Sequence, residues 1–190
     1  MAEPAVQERL ITAEEFWLMP KGEGRSELVD GRVVEMPPVG PDHGRLDSRI
    51  ARRLDEHLER VGTGGVYINT GFILRNDPDH VRAPDLAFVS AERAATHPKP
   101  ARGYWPVAPD LAVEIVSPDD RAEDIAEKID DYLAAGVRLI WVVYPRRRCV
   151  HVFVPGQPIQ ALSGEAVLNG GEVLPGFELP LSELWQLVQG

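Results

Sequence analysis

The chain has 190 residues, a formal net charge of −10 and a single cysteine, Cys149. This length predicts one domain, residues 1–190, that is long enough to bury a real hydrophobic core. One cysteine excludes a disulfide within the chain, and the sequence has no Cys/His pattern typical of zinc sites. The negative charge argues against a large non-specific nucleic-acid coat. It is compatible with a local basic groove and with a carboxylate cluster that binds metal.

The beginning of the sequence does not resemble a secretory signal peptide, because "MAEPAVQERL" contains acidic residues and no apolar segment. No apolar run approaches the roughly 20 residues that a helix needs to span a bilayer. Both observations favour a cytoplasmic location.

The first predicted elements are a short helix and a β-hairpin. "TAEEFWLMP" predicts a helix that begins with a capping box of Thr12 and Glu15 and ends at Pro20. "SELVDGRVVEM" predicts a hairpin, because Asp30 and Gly31 form the dipeptide favoured in tight two-residue turns and have β-branched residues on both sides.

A long amphipathic helix and two strands follow. Leucine, isoleucine and valine recur at three- and four-residue spacing in residues 41–62, which predicts a helix that ends at Gly62. Residues 65–75, "GVYINTGFILR", predict one strand, and residues 81–90, "VRAPDLAFVS", predict the next. From about residue 91 to residue 106 we expect an irregular excursion with room for a helical turn.

The rest of the chain predicts a parallel crossover. "DLAVEIVS" is almost continuously apolar, as in a strand that is covered on both faces. "SPDDRAEDIAEKIDDYLAAG" predicts a helix with Ser117 or Asp119 near its start and Gly136 just past its end. "RLIWVVYP" predicts a second buried strand, and strand, helix and strand in this order form a right-handed crossover. "RCVHVFVPG" then predicts an antiparallel edge strand, and "LSELWQLV" predicts a final helical turn or two. The predicted fold class is α/β, a mixed sheet flanked by helices.

One glutamate stands inside a predicted buried strand. The pentapeptide Ala-Pro-Asp-Leu-Ala occurs at residues 83–87 and again at residues 108–112, and only the second copy continues into a glutamate, Glu114. A carboxylate in a covered strand is costly unless it is paired or bound to a metal. A buried salt bridge, or a place beside a water-filled cleft, would also explain it.

The helix after this strand offers Glu114 a partner. Lys128 lies at the edge of the apolar stripe of this helix. Lys128 is about 13 Å along the helix from Asp119, and Glu114 is about 10 Å back from Ser117, so the two side chains should meet at a similar height. A surface lysine that pairs with Asp124 is the alternative interpretation.

Asp85, in the first copy of the pentapeptide, is the predicted second carboxylate of this site. Pro84 keeps the chain extended before it. Asp110, in the second copy, is about 13 Å from Glu114 along one strand, too far to chelate the same ion directly. Asp85 lies on a separate strand and is the better co-ligand, although a turn-capping role is also open. Two carboxylates with a lysine, and without a histidine or cysteine cluster, suit a hard ion such as Mg²⁺ or Mn²⁺.

The order of these residues resembles the Uma-two family of endonucleases. The likeness runs from about Thr12 to Leu184 and includes Glu27 in "SELVDG", His43 in "PPVGPDH", Asp85 in "RAPD", Glu114 in "EIVSP", and the segment "DIAEKIDDYLAAGVRLIWVVYP". The resemblance implies a single endonuclease-like domain with the restriction-endonuclease-like fold and a PD-(D/E)xK metal site.

The resemblance implies that Asp85 and Glu114 are catalytic metal ligands. In the wider superfamily the lysine stands two residues after the acidic ligand, where this chain has Val116. The resemblance suggests that Lys128, on the following helix, takes over as a migrated catalytic lysine, in agreement with the estimate of its height.

Two further positions also follow from the resemblance. Glu27 would be an additional catalytic acid near the metal, although it could equally be an exposed residue of the hairpin. His43 matches a position of the family, but it could instead cap the long helix. We therefore leave His43 outside the predicted catalytic core.

The fold and site imply hydrolysis of DNA phosphodiester bonds by a homodimer, since cutting two strands often uses two sites. Four arginines on one side of the long helix could neutralise phosphates, namely Arg45, Arg49, Arg52 and Arg53. Arg52 and Glu56 also form a standard i,i+4 pair, so a solvated helix face explains these arginines at least as well. "PRRRC" is a second basic segment, most simply a turn between two strands.

Two other functions fit the sequence. Val116 at the usual lysine position and the negative net charge favour a catalytically inactive nuclease-like fold that acts as a binding or assembly protein. A metal-dependent hydrolase of a small phosphorylated molecule is the third function, and a site too narrow for a duplex would favour it. Binding of Mn²⁺ that depends on Glu114 separates the nuclease from the inactive fold.

Overall fold

The computed structural model of the protein describes residues 9–20, 22, 24–62 and 64–186. The α-helices in these ranges are α1 (Ala13–Leu18), α2 (Pro41–Val61), α3 (Ala91–Thr96), α4 (Ala122–Ala134) and α5 (Leu181–Trp185). The strands are β1 (Ser26–Val29), β2 (Arg32–Glu35), β3 (Gly65–Ile68), β4 (Phe72–Arg75), β5 (His80–Arg82), β6 (Leu86–Val89), β7 (Leu111–Ile115), β8 (Leu139–Tyr144), β9 (Cys149–Phe153), β10 (Gln160–Ser163), β11 (Val167–Gly170) and β12 (Leu174–Pro180). No helix in the described ranges is both long enough and apolar enough to cross a membrane.

The strands form two main sheets and a small hairpin. The larger sheet has the order β10-β9-β8-β7-β6-β3, the second sheet has the order β2-β1-β5-β4, and β11 pairs with β12. Within the larger sheet the β7–β8 pair is parallel and the other pairs are antiparallel. The helix α4 connects the two parallel strands. The predicted mixed α/β sheet and its crossover are therefore confirmed.

Each face of the larger sheet is covered, because side chains alternate between faces along a strand. Val113 and Ile115 of β7 belong to the apolar cluster that α2 forms with β12 and α5. Ala112 lies on the opposite face and packs with α4. Glu114 shares the face of Ala112, so the charge inside β7 points toward the crossover helix.

The local signals in the first half of the chain are confirmed. Thr12 Oγ1 accepts a hydrogen bond from the Glu15 backbone N–H at 3.1 Å, and the Glu15 carboxylate accepts one from the Thr12 N–H at 2.9 Å. Asp30 and Gly31, with φ of 50° and 73°, make the turn between β1 and β2. The helix α2 ends at Gly62, whose φ is 70°.

Two predicted strands are each divided between the sheets. Residues 65–75 form β3 and β4, and residues 81–90 include β5 and β6. The strands β3 and β6 pair in the larger sheet, whereas β4 and β5 pair in the smaller one. Asn69 has a left-handed φ of 47°, and Pro84 has no N–H for a ladder hydrogen bond, so the chain leaves one sheet at each of these points. Asp85 therefore lies at the junction of the two sheets.

Three features in the second half of the chain differ from the prediction. The helix α4 begins at Ala122, because Asp120 accepts a hydrogen bond from the Ser117 N–H at 2.7 Å and forms a turn before it. The strand β9 is not an edge, since β10 pairs with it. The helix α5 ends at Trp185, and residues 187–188 of the predicted last helix lie outside the described residues.

Asp110 has the structural role expected of the second Pro-Asp. Its side chain is 1% exposed and accepts hydrogen bonds from Arg138 at 2.7 and 3.0 Å and from the Ser90 N–H at 2.7 Å. Arg93 Nε lies 3.0 Å from the same carboxylate. Asp110 therefore joins the start of β7 to the segments that flank it.

We expect Asp110→Ala to lower the free energy of unfolding by roughly 1–3 kcal/mol, because it removes a buried hydrogen-bonded carboxylate and leaves the Ser90 N–H without its acceptor. Asp55→Ala, at an exposed position of α2, is the matched control and should change stability by less than about 0.5 kcal/mol. Urea unfolding measures both. Equal stability of the two variants would contradict the structural role of Asp110.

Candidate active site

The pairing of β6 with β7 brings Asp85 to Glu114. Leu86 pairs with Val113, so one step further along this antiparallel register Asp85 stands opposite Glu114. Residues opposite each other in an antiparallel pair point to the same face. Asp85 is 3% exposed, and its Oδ2 accepts a hydrogen bond from the Ile115 N–H at 2.7 Å. The two predicted metal ligands therefore face the same cleft.

Lys128 reaches Glu114 from α4. Its Nζ lies 3.0 Å from Glu114 Oε2 and 3.2 Å from Glu27 Oε1, and the residue is 4% exposed. Tyr132, one turn further along the helix, donates a hydrogen bond from its hydroxyl to Glu114 Oε1 at 2.6 Å. Lys128 is thus a buried countercharge, and the alternative of a surface lysine paired with Asp124 is wrong.

Glu27 is buried at this site and is not an exposed hairpin residue. It is 2% exposed, and its carboxylate accepts hydrogen bonds from Arg82 Nη1 at 2.8 Å and from the Ala83 N–H at 3.0 Å. Arg82 also binds Asp131 of α4, with Nη2 2.6 Å from Oδ2. Charged side chains of β1, β5 and α4 therefore form one continuous network around Lys128.

Burial and nearby charges shift the pKa values of Glu114 and Lys128. Burial raises the pKa of Glu114 to about 7, the charge of Lys128 opposes this rise, and the charges of Asp85 and Glu27 add to it. Burial alone would lower the pKa of Lys128, but Glu114 and Glu27 hold it above its ordinary value. Lys128 therefore stays charged, while Glu114 has negative charge beside it that a bound cation would offset.

A histidine and a further aspartate meet Asp85 from the other side. His43 and Asp47 are one turn apart on α2, and His43 Nε2 lies 3.1 Å from Asp85 Oδ1 and 3.4 Å from Asp47 Oδ2. One ligand atom from each of the three side chains lies within 4.8 Å of the others. Arg25 also donates a hydrogen bond to Asp85 Oδ1 at 2.8 Å.

The structure corrects one interpretation of α2 and adds a site residue that the sequence did not predict. His43 does not cap α2, since the N-cap is Gly40. Asp47 was not among the predicted site residues, and its i,i+4 spacing from His43 was the signal that could have found it. Burial and the charge of Asp85 raise the pKa of Asp47 to about 6. Burial would also raise the pKa of Asp85, but His43, Arg25 and the Ile115 N–H lower it below its ordinary value.

His43, Asp85, Glu114 and Lys128 line a cleft with a cavity volume of about 150 Å³. The cleft is bounded by the β1–β2 hairpin, the chain after it and the first half of α4. Its acidic rim consists of Glu35, Asp119, Asp120, Asp124 and Glu127. A neighbouring pocket shares His43 and Ser117 with the cleft and is lined by Arg146 and Arg148 of the turn between β8 and β9.

The donor chemistry of the cleft fits a hard divalent cation. Asp85 and Glu114 supply carboxylate oxygens, the ligand type that Mg²⁺ and Mn²⁺ prefer. Each carboxylate has about four acceptor positions, so the hydrogen bonds from Ile115, Lys128 and Tyr132 leave capacity for a metal. Burial, with a contribution from the charges of Asp85 and Glu27, raises the pKa of Glu114, and a bound cation would stabilise its ionised form.

We expect Lys128→Met to lower the free energy of unfolding by about 3–5 kcal/mol in the absence of metal, because it leaves Glu114 and Glu27 as buried carboxylates without their shared countercharge. Lys99→Met removes an exposed lysine and is the control. Urea unfolding in the presence of a chelator measures the difference. A Lys128 variant as stable as the Lys99 variant would show that the ion pair does not contribute to the fold.

Comparisons with known proteins identify the family and the fold. A family described as "Uma2: Putative restriction endonuclease" matches residues 13–182. The fold is similar to that of a crystal structure described as "a putative nuclease belonging to DUF820 from Anabaena variabilis ATCC 29413", with a TM-score of 0.80 and 21% sequence identity over 93% of this chain and 98% of that chain. No curated protein matches the chain significantly. The structural likeness confirms the nuclease-like α/β fold, and the family match over most of the length shows that this chain belongs to the Uma2 family.

Proposed function

We propose that this chain is a metal-dependent endonuclease that hydrolyses DNA phosphodiester bonds as a single endonuclease-like domain. Asp85 and Glu114 are the proposed ligands of Mg²⁺ or Mn²⁺, and Lys128 and Glu27 complete the catalytic group. The observation that supports this most is the ammonium of Lys128, 3.0 Å from Glu114, although the usual lysine position holds Val116. Membership of the Uma2 family points to the same class of reaction.

Lys128 supplies the positive charge of the proposed mechanism. A bound divalent ion would polarise a phosphoryl oxygen and lower the pKa of a water molecule. The ammonium of Lys128 stands beside Glu114, where it can stabilise negative charge that develops on the phosphate in the transition state. Glu27 holds Lys128 from the second sheet and is itself fixed by Arg82 and the Ala83 N–H.

The carboxylates of the proposed ligands are oriented by hydrogen bonds. Tyr132 binds one oxygen of Glu114 while Lys128 binds the other. Asp85 is held by the Ile115 N–H and by Arg25. Because these contacts set the direction of each carboxylate before substrate arrives, they reduce the reorganisation needed for catalysis.

The acidic rim of the cleft would repel a phosphate backbone, so attraction for DNA must come from beside it. Arg146 and Arg148 are exposed and line the pocket that adjoins the cleft at His43 and Ser117. Among the arginines of α2, Arg52 is instead paired with Glu56 at 3.0 Å. We infer that the turn between β8 and β9 contacts the DNA backbone. A homodimer is part of this proposal, since two sites would cut the two strands.

The repeated pentapeptide supplies a matched test of the site. Asp85→Asn should lower Mg²⁺- or Mn²⁺-dependent cleavage of DNA by roughly 100-fold or more, the range for loss of a group that stabilises transition-state charge. Asp110→Asn, in the same local sequence but outside the cleft, should keep its activity below its own unfolding temperature. Cleavage of single-stranded, duplex and branched DNA is followed on gels, and thermal unfolding verifies that both variants are folded.

Three results would count against the proposal. Equal cleavage by the Asp85 and Asp110 variants would exclude the predicted site. Metal binding without cleavage of any DNA substrate would favour a binding or assembly protein, and hydrolysis of small phosphate esters alone would favour a small-molecule substrate.

A second test concerns the DNA-binding turn. The double variant Arg146→Ala/Arg148→Ala should weaken duplex binding and reduce the slope of log affinity against log salt by about 2, because two phosphate contacts are lost. Arg52→Ala is the control, since Arg52 is exposed but paired with Glu56. Fluorescence anisotropy in a chelator measures binding without cleavage. If both variants have the slope of the wild type, the DNA follows another surface.

A further inference from the structure

His43 and Asp47 have no part in the proposed mechanism, although both reach Asp85. His43 is 6% exposed, and its Nε2 lies 3.1 Å from Asp85 Oδ1 and 3.4 Å from Asp47 Oδ2 without the geometry of a hydrogen bond to any described residue. The Oδ1 atom of Asp47 is also buried and without a hydrogen bond among these residues. Unpaired buried polar atoms are costly, so two of them beside a third ligand call for an explanation.

The separations of these atoms match those around a metal ion. Two ligand atoms with bonds of about 2.1 Å to one ion are about 3.0 Å apart across an octahedral edge and about 3.4 Å apart across a tetrahedral edge. The His43 nitrogen is 3.1 Å from the Asp85 oxygen and 3.4 Å from the Asp47 oxygen. The three side chains therefore need little rearrangement to share an ion.

The second nitrogen of His43 is oriented as in metal sites. Nδ1 lies 3.3 Å from the Ser117 hydroxyl oxygen, which can accept a hydrogen bond from it. In a neutral imidazole, donation from Nδ1 would leave Nε2 unprotonated, which is the form that binds metal. A cation between the three atoms would take the place of a proton on Nε2.

We propose that His43, Asp47 and Asp85 bind a second divalent cation, separate from the ion at Asp85 and Glu114 and joined to it through Asp85. Imidazole favours first-row transition-metal ions, so this site should prefer Mn²⁺ or Zn²⁺ to Mg²⁺. This second site rests on the proposed function only in sharing Asp85. A protonated His43 that pairs directly with the two aspartates is the competing arrangement.

Mn²⁺ binding tests the second site without reference to activity. Isothermal titration should give two Mn²⁺ ions per wild-type chain and one ion in each of His43→Gln and Glu114→Gln. Electron spin-echo spectroscopy should detect a histidine nitrogen bound to Mn²⁺ in the wild type and in Glu114→Gln, and should lose that signal in His43→Gln. The Asp47→Asn variant should bind the ion at this site at least about 10-fold more weakly.

His57→Gln is the matched control. His57 is also buried with an unpaired Nε2, but its neighbours are Phe177 and Arg60, so its loss should change neither the number of ions nor the nitrogen signal. The isosteric Asp47→Asn variant keeps the test decisive if His43→Gln does not fold.

The outcomes separate this second site from the proposed function. A histidine nitrogen signal that persists in Glu114→Gln supports the second site even if no DNA is cleaved. A single ion in the wild type, or Mn²⁺ without a histidine nitrogen signal, overturns the second site and leaves the nuclease proposal intact.

Discussion

The structure depends on the requirement that buried charges be balanced, and Lys128 is where this requirement is met. Its ammonium lies between Glu114 of β7 and Glu27 of β1, so one side chain of α4 connects the larger sheet to the smaller one. Removing such a charge would leave Glu114 without a cationic partner and Glu27 with Arg82 alone, in a medium that solvates carboxylates poorly. The ion pair therefore contributes to the fold and, in our proposal, to the reaction.

The site forms where the chain crosses from one sheet to the other. Between β5 and β6, Pro84 interrupts the ladder hydrogen bonds, and the next residue, Asp85, turns toward Glu114. The same crossing places Arg82 and the Ala83 N–H on Glu27. The short connection between β5 and β6 thus carries Asp85 and also fixes Glu27, although these two carboxylates are far apart in the sequence.

The ionised forms of the buried carboxylates are destabilised, and a bound metal ion would stabilise them. Burial and neighbouring acids raise the pKa of Glu114 and of Asp47, which means that each ionised side chain is destabilised in the absence of a cation. Glu114 stands opposite Asp85 on the neighbouring strand, whereas Asp47 approaches Asp85 from α2. In our proposals each of these two acids binds a separate ion, and the adjoining turn, not the acidic cleft, attracts the phosphate backbone.

The sequence by itself determined the elements whose signals are local: the capping box of α1, the hairpin turn at Asp30, the long helix α2 and the crossover helix α4. It also placed Lys128 beside Glu114, because helix rise and strand rise alone set the height of each side chain. Only the tertiary structure decided that residues 65–75 and 81–90 divide between two sheets, that Glu27 is buried, and that His43 and Asp47 meet Asp85. These features depend on which strands pair and which helix covers which face. Such contacts join distant parts of the chain, and no local periodicity records them.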